Sequence, residues 1–245
     1  MKEICFEMID STSSYIKRSH QILDDYTFVA ASYQSEGKGR NQRKWDSNNN
    51  ENLLFSLLIK DKEIISKYMH LSAISAVAIY NSLIDLDVKN VSIKWPNDVY
   101  VNDKKICGIL LEGISENNEL KAIVIGIGLN VNQVSFEEYR LFNATSIAKE
   151  KNKLFDLIKV KELVYENLLE EINKIKENDN AYLNIIRNNN YLKDKEVYAY
   201  YDNQRVKVKV IDINDDFSLK VLYHNKEINI SSGEITFHNL DNEAY

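Results

Sequence analysis

The chain has 245 residues, 44% hydrophobic and 28% charged, which suits a soluble globular protein with one large domain and room for a small one. Its net charge of −6 argues against general affinity for nucleic acid, and no apolar run approaches membrane-spanning length. Two cysteines, Cys5 and Cys107, give neither a disulfide framework nor a zinc spacing; with an N-terminus lacking an apolar signal core, they predict a reducing, cytoplasmic setting.

Ile4 to Ile9 alternates as a short strand. Asp10-Ser11-Thr12-Ser13-Ser14 follows, with Ile16, Ile22 and Leu23 at helical spacing, so Ser11 or Thr12 is the expected N-cap. Capping alone is a sufficient use for these hydroxyls. Thr27 to Gln34 is a strand leading into Gly37-Lys38-Gly39-Arg40-Asn41-Gln42-Arg43-Lys44-Trp45. Glycine lets the backbone approach a ligand, the cations attract phosphate or carboxylate, and the tryptophan offers a flat face to a ring. A solvated basic turn uses the same residues, and the loop alone does not separate the two uses.

Polar sequence continues to Asn52, and Leu53 to Ile59 is the next strand. Ile64 to Leu86 reads as one long helix, with Leu71, Ile74, Ala78, Leu83 and Leu86 on an apolar stripe. Val91 to Val101 holds two short β runs broken at Pro96, the only proline. Asn102-Asp103 turns the chain into a strand from Lys105 to Glu112, and Glu116-Asn117-Asn118 turns it again into Leu120 to Leu129. Leu154 to Ile175 is a second long helix and Tyr182 to Ile186 a shorter one. The fold class is therefore α+β, a mixed, mostly antiparallel sheet backed by helices. From Lys195 onward Val197, Ala199 and Tyr201, then Val206, Val208 and Val210, then Leu219, Val221 and Tyr223 alternate between turns, which predicts a small β-barrel or sandwich. A boundary near residue 190 gives domains 1–190 and 191–245.

The chemistry concentrates in three further places. Lys94-Trp95-Pro96-Asn97-Asp98 puts a cation, an amide and a carboxylate around a proline-fixed strand break. Lys105 arrives on the returning strand, and Gly108 removes bulk from that surface. Gly126-Ile127-Gly128 brackets a close backbone approach ending at Asn130; it is no dinucleotide fingerprint, because the third glycine and the following helix are missing. His20, His70, His224 and His238 are scattered and form no metal or triad pattern.

Together, Asp10-Ser11-Thr12, Gln34, Gly37-Lys38-Gly39-Arg40 with Arg43 and Trp45, Lys94-Trp95-Pro96-Asn97-Asp98, Lys105 with Gly108-Ile109-Leu110 and Glu112, and Gly126-Ile127-Gly128-Leu129-Asn130 strongly resemble biotin protein ligases, in that family's order. Ser232-Gly233-Glu234-Ile235 resembles its final β segment. The resemblance implies a class II synthetase-like catalytic fold with a C-terminal SH3-like β-barrel. It also implies a two-step ligase that activates biotin with ATP and Mg2+ as biotinyl-5'-AMP, then transfers it to a lysine of a biotin carboxyl carrier domain of a biotin-dependent carboxylase. By that likeness Ser11, Thr12, Ser13, Gln34, Gly37, Lys38, Gly39, Arg40, Lys105 and Gly108 line a biotin site. Arg40, Arg43, Trp45, Lys94, Asn97, Asp98 and Asn130 line the nucleotide side; Arg40, Lys94, Asp98 and Lys105 are the catalytic candidates, with no metal ligand expected from protein alone. Asp98 is the candidate for orienting, or taking a proton from, the incoming lysine.

Two departures stand out. The family's loop usually reads Gly-Arg-Gly-Arg-x-Gly-Arg, whereas this chain has Lys38, which lacks the planar fork, and Gln42, which removes a glycine. The chain begins just before Asp10-Ser11-Thr12, so the family's DNA-binding N-terminal domain, and a repressor role, are not expected. A homodimer through an edge strand is compatible with this reading. Competing readings are a lipoate ligase, opposed by the basic loop and the Lys94–Asp98 motif, and an RNA-binding protein, opposed by the net charge.

Overall fold

The computed structural model describes residues 2–136, 143–231 and 235–236. Its main element is a seven-stranded sheet ordered β1-β2-β3-β7-β6-β5-β4, with β1 Lys2–Ile9, β2 Thr27–Gln34, β3 Asn52–Ile59, β4 Val91–Lys94, β5 Asp98–Val101, β6 Lys104–Glu116 and β7 Glu119–Asn130. Only β1 and β2 pair in parallel, through the crossover helix α1, Thr12–Ser19; every other neighbouring pair is antiparallel. The mixed, mostly antiparallel α+β class read from the pattern is what is found. No helix among the described residues is long and apolar enough to cross a membrane.

Alternation along the strands splits the molecule into two cores. Phe55, Leu57 and Ile59 of β3 and Ile123, Ile125, Ile127 and Leu129 of β7 face one side, beneath the helices α2 Lys62–Ser66, α3 Tyr68–Asp85, α5 Leu157–Lys176 and α6 Ala181–Asn188. Phe28 stacks on Tyr165 of α5 with centroids 3.9 Å apart, and Phe55 meets the same ring edge-on at 4.8 Å. Leu58, Ala122 and Val124 face the other way and pack with Ile16 and Leu23 in a smaller core under α1. That second face is covered by α1 at one end only, and the rest is left for the site.

Several elements differ from the sequence reading. The single helix expected from Ile64 to Leu86 is two, broken at Lys67, whose φ and ψ are −102° and 22°. The Lys67 ammonium donates to Ile175 O at 2.7 Å and Asn178 Oδ1 at 2.9 Å, which ties the break to the end of α5. Nor does α3 carry a simple stripe: Leu71, Ile74, Val77, Ile79 and Leu83, with small Ala73, Ala76 and Ala78 between them, are all buried, because the helix lies between the sheet and α5. Ile22, read as helical, lies past the end of α1 and is 82% exposed. A short helix α4, Ile147–Lys151, has no counterpart in the reading.

Beyond residue 190 a four-stranded antiparallel sheet runs β11-β10-β9-β8, with β8 Glu196–Tyr201, β9 Gln204–Ile213, β10 Leu219–Tyr223 and β11 Lys226–Ile230. Closure into a barrel is not seen among the described residues. Ser232, Gly233 and Glu234 of the expected final segment lie outside them, while Thr236 bridges to Tyr198 of β8. Val197, Val208, Val210, Leu219 and Val221 of this sheet join the larger core.

The Phe28 ring is fully buried at the centre of this stack. Phe28→Ala should lower unfolding stability by about 3–5 kcal/mol, the usual cost of deleting a buried ring. Urea denaturation followed by circular dichroism measures it; a loss well under that range would mean the cluster collapses around the vacancy.

Candidate functional site

Directly opposed residues in a sheet share a face, so the register lays the site out in rows. One row runs Ala31, Leu54, Gly128, Gly108, Asp98 and Lys94, from β2 across to β4. The neighbouring row runs Val29, Ser56, Gly126 and Leu110. Glycine at the crossing of β6 and β7 leaves bare backbone as the floor of a trough. The indole of Trp45 rests on that floor: a Cβ at Gly108 would lie 2.8 Å from its Cζ3, and one at Gly128 would overlap its five-membered ring.

One end of the trough is polar and buried. Ser11 is the N-cap of α1 and accepts from Ser14 N at 3.4 Å. Capping uses only that hydroxyl. Thr12 N and Thr12 Oγ1 both donate to Gln34 Oε1, at 2.8 and 3.1 Å. Thr12 Oγ1 also lies 2.8 Å from Ser56 Oγ, which is 2.9 Å from Ser13 Oγ. Gly126 lies beneath, where a Cβ would sit 2.8 Å from Ser13 Oγ. Ser56 was not singled out from sequence, although a serine inside Leu53-Leu54-Phe55-Ser56-Leu57-Leu58-Ile59 is the one polar interruption of a buried strand.

The other end is charged. In a regular strand Lys105 and Gly108, three apart, would face opposite ways. Val99 pairs with Cys107 and Tyr100 with Lys105, so Ile106 is an extra residue, and this bulge returns Lys105 to the face of Gly108. The bulge is held from outside: Lys105 N donates to Asn143 O and Thr145 N donates to Lys105 O, each at 2.9 Å. Lys105 Nζ then pairs with Asp98 Oδ1 at 2.7 Å and stands 5.4 Å from the Trp45 ring centre. Lys94 Nζ donates to Tyr100 Oη at 3.4 Å and lies 5.3 Å from that ring. Burial pushes the Tyr100 phenol well above its ordinary range, so it stays a neutral hydroxyl. Burial likewise raises the neighbouring Cys107 thiol, which excludes it as a nucleophile.

The basic loop folds back on itself. Trp45 N donates to Gly37 O at 3.0 Å and Gly39 N to Arg43 O at 2.8 Å, with Lys38 bridged to Lys44. Arg40 begins a single 3-10 turn and donates to Asn97 Oδ1 at 3.0 Å, while Asn97 Nδ2 donates to Ile109 O at 2.8 Å. Asn97 thereby couples loop to sheet. The loop overhangs a cleft of about 620 Å³ lined by its own residues with Leu110 and Glu112. Gln42 adopts φ 60°, the left-handed region, at the position where the resemblance places a glycine.

The predicted residues are thus brought together in two groups. Ser11, Thr12, Ser13 and Gln34 meet at the polar end; Lys94, Asp98, Lys105, Gly108 and Trp45 meet at the charged end, joined through Asn97 to Arg40. Gly37, Lys38, Gly39 and Arg43 line the cleft from the loop side. Asn130, two residues beyond Gly128, is 4% exposed and gives its side-chain amide to Thr145 O at 3.0 Å. Among the described residues no three His, Cys, Asp or Glu side chains gather as a metal cluster.

Residues 5–130 match the model of the biotin/lipoate A/B protein ligase family. The bifunctional ligase/repressor BirA of Bacillus spizizenii is 33% identical over 153 residues, 60% of this chain and 47% of that protein. The biotin–acetyl-CoA-carboxylase ligase of Paracoccus denitrificans is 32% identical over 124 residues, 50% of this chain and 51% of that protein. The chain thus spans about half the length of these relatives. Among solved structures, the biotin protein ligase of Aquifex aeolicus in complex with biotin and ATP superposes with a TM-score of 0.85 at 27% identity, covering 96% of this chain and 97% of that one.

The glycine floor has a direct test. Gly128→Ala should lift Trp45 off the sheet while far-ultraviolet circular dichroism stays unchanged. Of the two tryptophans, Trp95 is buried elsewhere, so a red shift in emission reports Trp45. An unshifted spectrum would mean the indole does not rest there.

Proposed function

The chain belongs to the biotin/lipoate A/B protein ligase family, and from that premise we propose that it is a biotin–protein ligase. In the first step the biotin carboxylate attacks the α-phosphorus of ATP, forming biotinyl-5'-AMP and releasing pyrophosphate. In the second, the amine of a lysine on a biotin carboxyl carrier domain of a biotin-dependent carboxylase attacks the acyl carbonyl and AMP leaves.

The observation that carries this reading is a glycine-floored trough with a hydroxyl–amide cluster at one end and fixed cations at the other. Donors and acceptors on Ser11, Thr12, Ser13, Gln34 and Ser56 suit the urea-like ring of biotin. The dithiolane ring of lipoate, the other acid of this family, has no such groups to pair, and buried polar atoms left unpaired oppose it. Bringing a carboxylate onto a phosphate requires preorganised positive charge, the largest single contribution in such reactions. Lys94, Lys105 and Arg40 supply it, with Arg43 and Lys38 on the rim of the cleft. Trp45 offers its face to the base or acyl portion of the adenylate, and Asn97 and Asn130 shape the nucleotide side. Asp98, paired with Lys105, orients the incoming amine.

Magnesium enters with the nucleotide in this scheme. Among the described residues no cluster of three His, Cys, Asp or Glu side chains gathers, so such an ion would be held chiefly by phosphate oxygens and water and would screen their charge. Residues 191–245 form a small second domain, no nucleic-acid or membrane role is assigned, and the cytoplasm is the setting. The outer edge of β1, which pairs only with β2 among the described strands, is the proposed contact of a homodimer.

Mass spectrometry of a carrier domain incubated with the protein, biotin, ATP and magnesium tests the whole proposal. Mass gain of one biotinyl group is expected; an unmodified carrier with no pyrophosphate released would end it. Lys94→Gln should slow pyrophosphate release by about 10²–10³-fold, the scale for losing one stabilising donor, and a near-normal rate would remove Lys94 from its role. Lys105→Ala should weaken biotin binding far more than ATP binding in separate titrations. Equal losses would indicate a folding defect instead.

A further inference from the structure

The turn carrying Lys94, Asn97 and Asp98 is short, and its own strand pairing ends at the Lys94–Asp98 pair. It is held from outside. Ser72 Oγ of α3 donates to Pro96 O at 2.6 Å, and Ile109 N of β6 donates to Asn97 O at 2.9 Å. Both of those residues belong to the main sheet and its helices. Beyond these and the Asn97 and Asp98 contacts already described, the C-terminal part of the chain reaches the two neighbours of Lys94.

On one side, Ile93 N donates to Asn189 O at 2.8 Å and Tyr191 N donates to Ile93 O at 2.9 Å, so the lead-in to the C-terminal sheet covers the outer edge of β4. Tyr191 also stacks on Tyr100, the ring beneath the Lys94 ammonium, with centroids 4.7 Å apart. On the other side, the Trp95 indole is 2% exposed and donates Nε1 to Phe217 O at 2.7 Å. Phe217 lies in the loop between β9 and β10 and holds φ 64°, a conformation that costs a non-glycine residue and persists only when its surroundings impose it. They do. Ser218 N and Oγ donate to Asp216 Oδ1 at 2.9 and 2.6 Å, and Arg187 of α6 donates to Ile213 O and Asp215 Oδ1, each at 2.7 Å. A braced loop aims one carbonyl at one buried indole.

We propose that the C-terminal sheet is a positioning element for the reacting groups, and that Trp95 is the positioning residue through which the carbonyl of Phe217 sets Lys94 and Asp98. This rests on the ligase reading for its activity test. The polar end of the trough shares none of these contacts, and biotin binding meets them only through the Lys105–Asp98 pair, so phosphoryl chemistry should suffer more than biotin binding.

Trp95→Phe keeps an aromatic six-membered ring and removes the pyrrole portion with its donor. In the whole chain it should lose much less in biotin affinity than in rate, with pyrophosphate release falling by roughly 10- to 100-fold, the cost of misplacing reacting groups by about an ångström. Leu168→Ala, a fully buried truncation on α5 behind the sheet, is the control for lost stability alone, and should keep its rate below its unfolding temperature. A Trp95→Phe protein that works at the wild-type rate overturns the proposal, as does one that loses biotin binding and rate in equal proportion. Should that variant not fold, Phe217→Gly, which tolerates φ 64° and keeps the carbonyl but frees the loop, decides: a slower rate with biotin binding kept supports it, an unchanged rate overturns it. If the wild-type protein released no pyrophosphate, the ligase reading would fail. Hydrogen exchange of the amides at 93–98 in Trp95→Phe, faster or unchanged, would then still decide the positioning.

Discussion

Backbone laid bare at the centre of a sheet is the constraint on which this site depends. Gly128 and Gly108 oppose each other across β7 and β6, and Gly126 sits two pairs along, opposite Leu110. Any side chain at the first two would collide with the Trp45 indole, and one at Gly126 would meet the Ser13 hydroxyl. The glycines give up packing on the α1 face, which the opposite face offsets: Ile125, Ile127 and Leu129, alternating with them, are buried in the larger core. A strand can afford a bare face only where its other face is this well covered. Floor and core are therefore one pattern with a period of two.

The charged end needs a second device, because a regular strand cannot put both Lys105 and Gly108 on the same side. The bulge at Ile106 does so, and its stability comes from Asn143 and Thr145, which take up the Lys105 backbone groups that the bulge removes from the ladder. Asn130 then pins Thr145 from β7. Cations held this way need little reorganisation when negative charge develops beside them, which is what makes fixed charge worth more than mobile charge. The Asp98 carboxylate keeps Lys105 from facing Lys94 and Arg40 uncompensated.

Where local pattern decides structure, the sequence was a sufficient guide. Thr27–Gln34 and the β4–β5 and β6–β7 hairpins follow from alternation and turn residues, and the α+β class follows from their order. Parallel pairing of β1 with β2 leaves no trace in either strand's own pattern. Neither does the break at Lys67, which is imposed by carbonyls at the end of α5. In the site, residue types with obvious chemistry were legible and geometry was not. Two tryptophans flanked by cations look alike in sequence; Trp45 lies over the trough, whereas Trp95 is buried against a loop more than a hundred residues later. Ser56 carried a visible signal, a hydroxyl in an apolar strand, and its partner Gly126 was noticed for a different reason.

The loop shows how far the sheet governs what lies above it. Asn41 and Gln42 both hold positive φ, and a side chain in that region costs roughly 1–2 kcal/mol at a residue such as Gln42. Two backbone hydrogen bonds close the loop, Trp45 N to Gly37 O and Gly39 N to Arg43 O, and at a net gain of about 1 kcal/mol each they only offset that cost. The indole on the glycines and the Arg40–Asn97 bond, both made to the sheet, add to what favours the folded-back form. The loop's shape is thus set from the floor upward. Lys38, exposed and joined to Lys44 through backbone alone, takes no part in holding that shape. Its departure from arginine therefore alters the lining of the cleft and not the fold of the loop, whereas the glutamine at 42 bears on the fold and lines the same cleft.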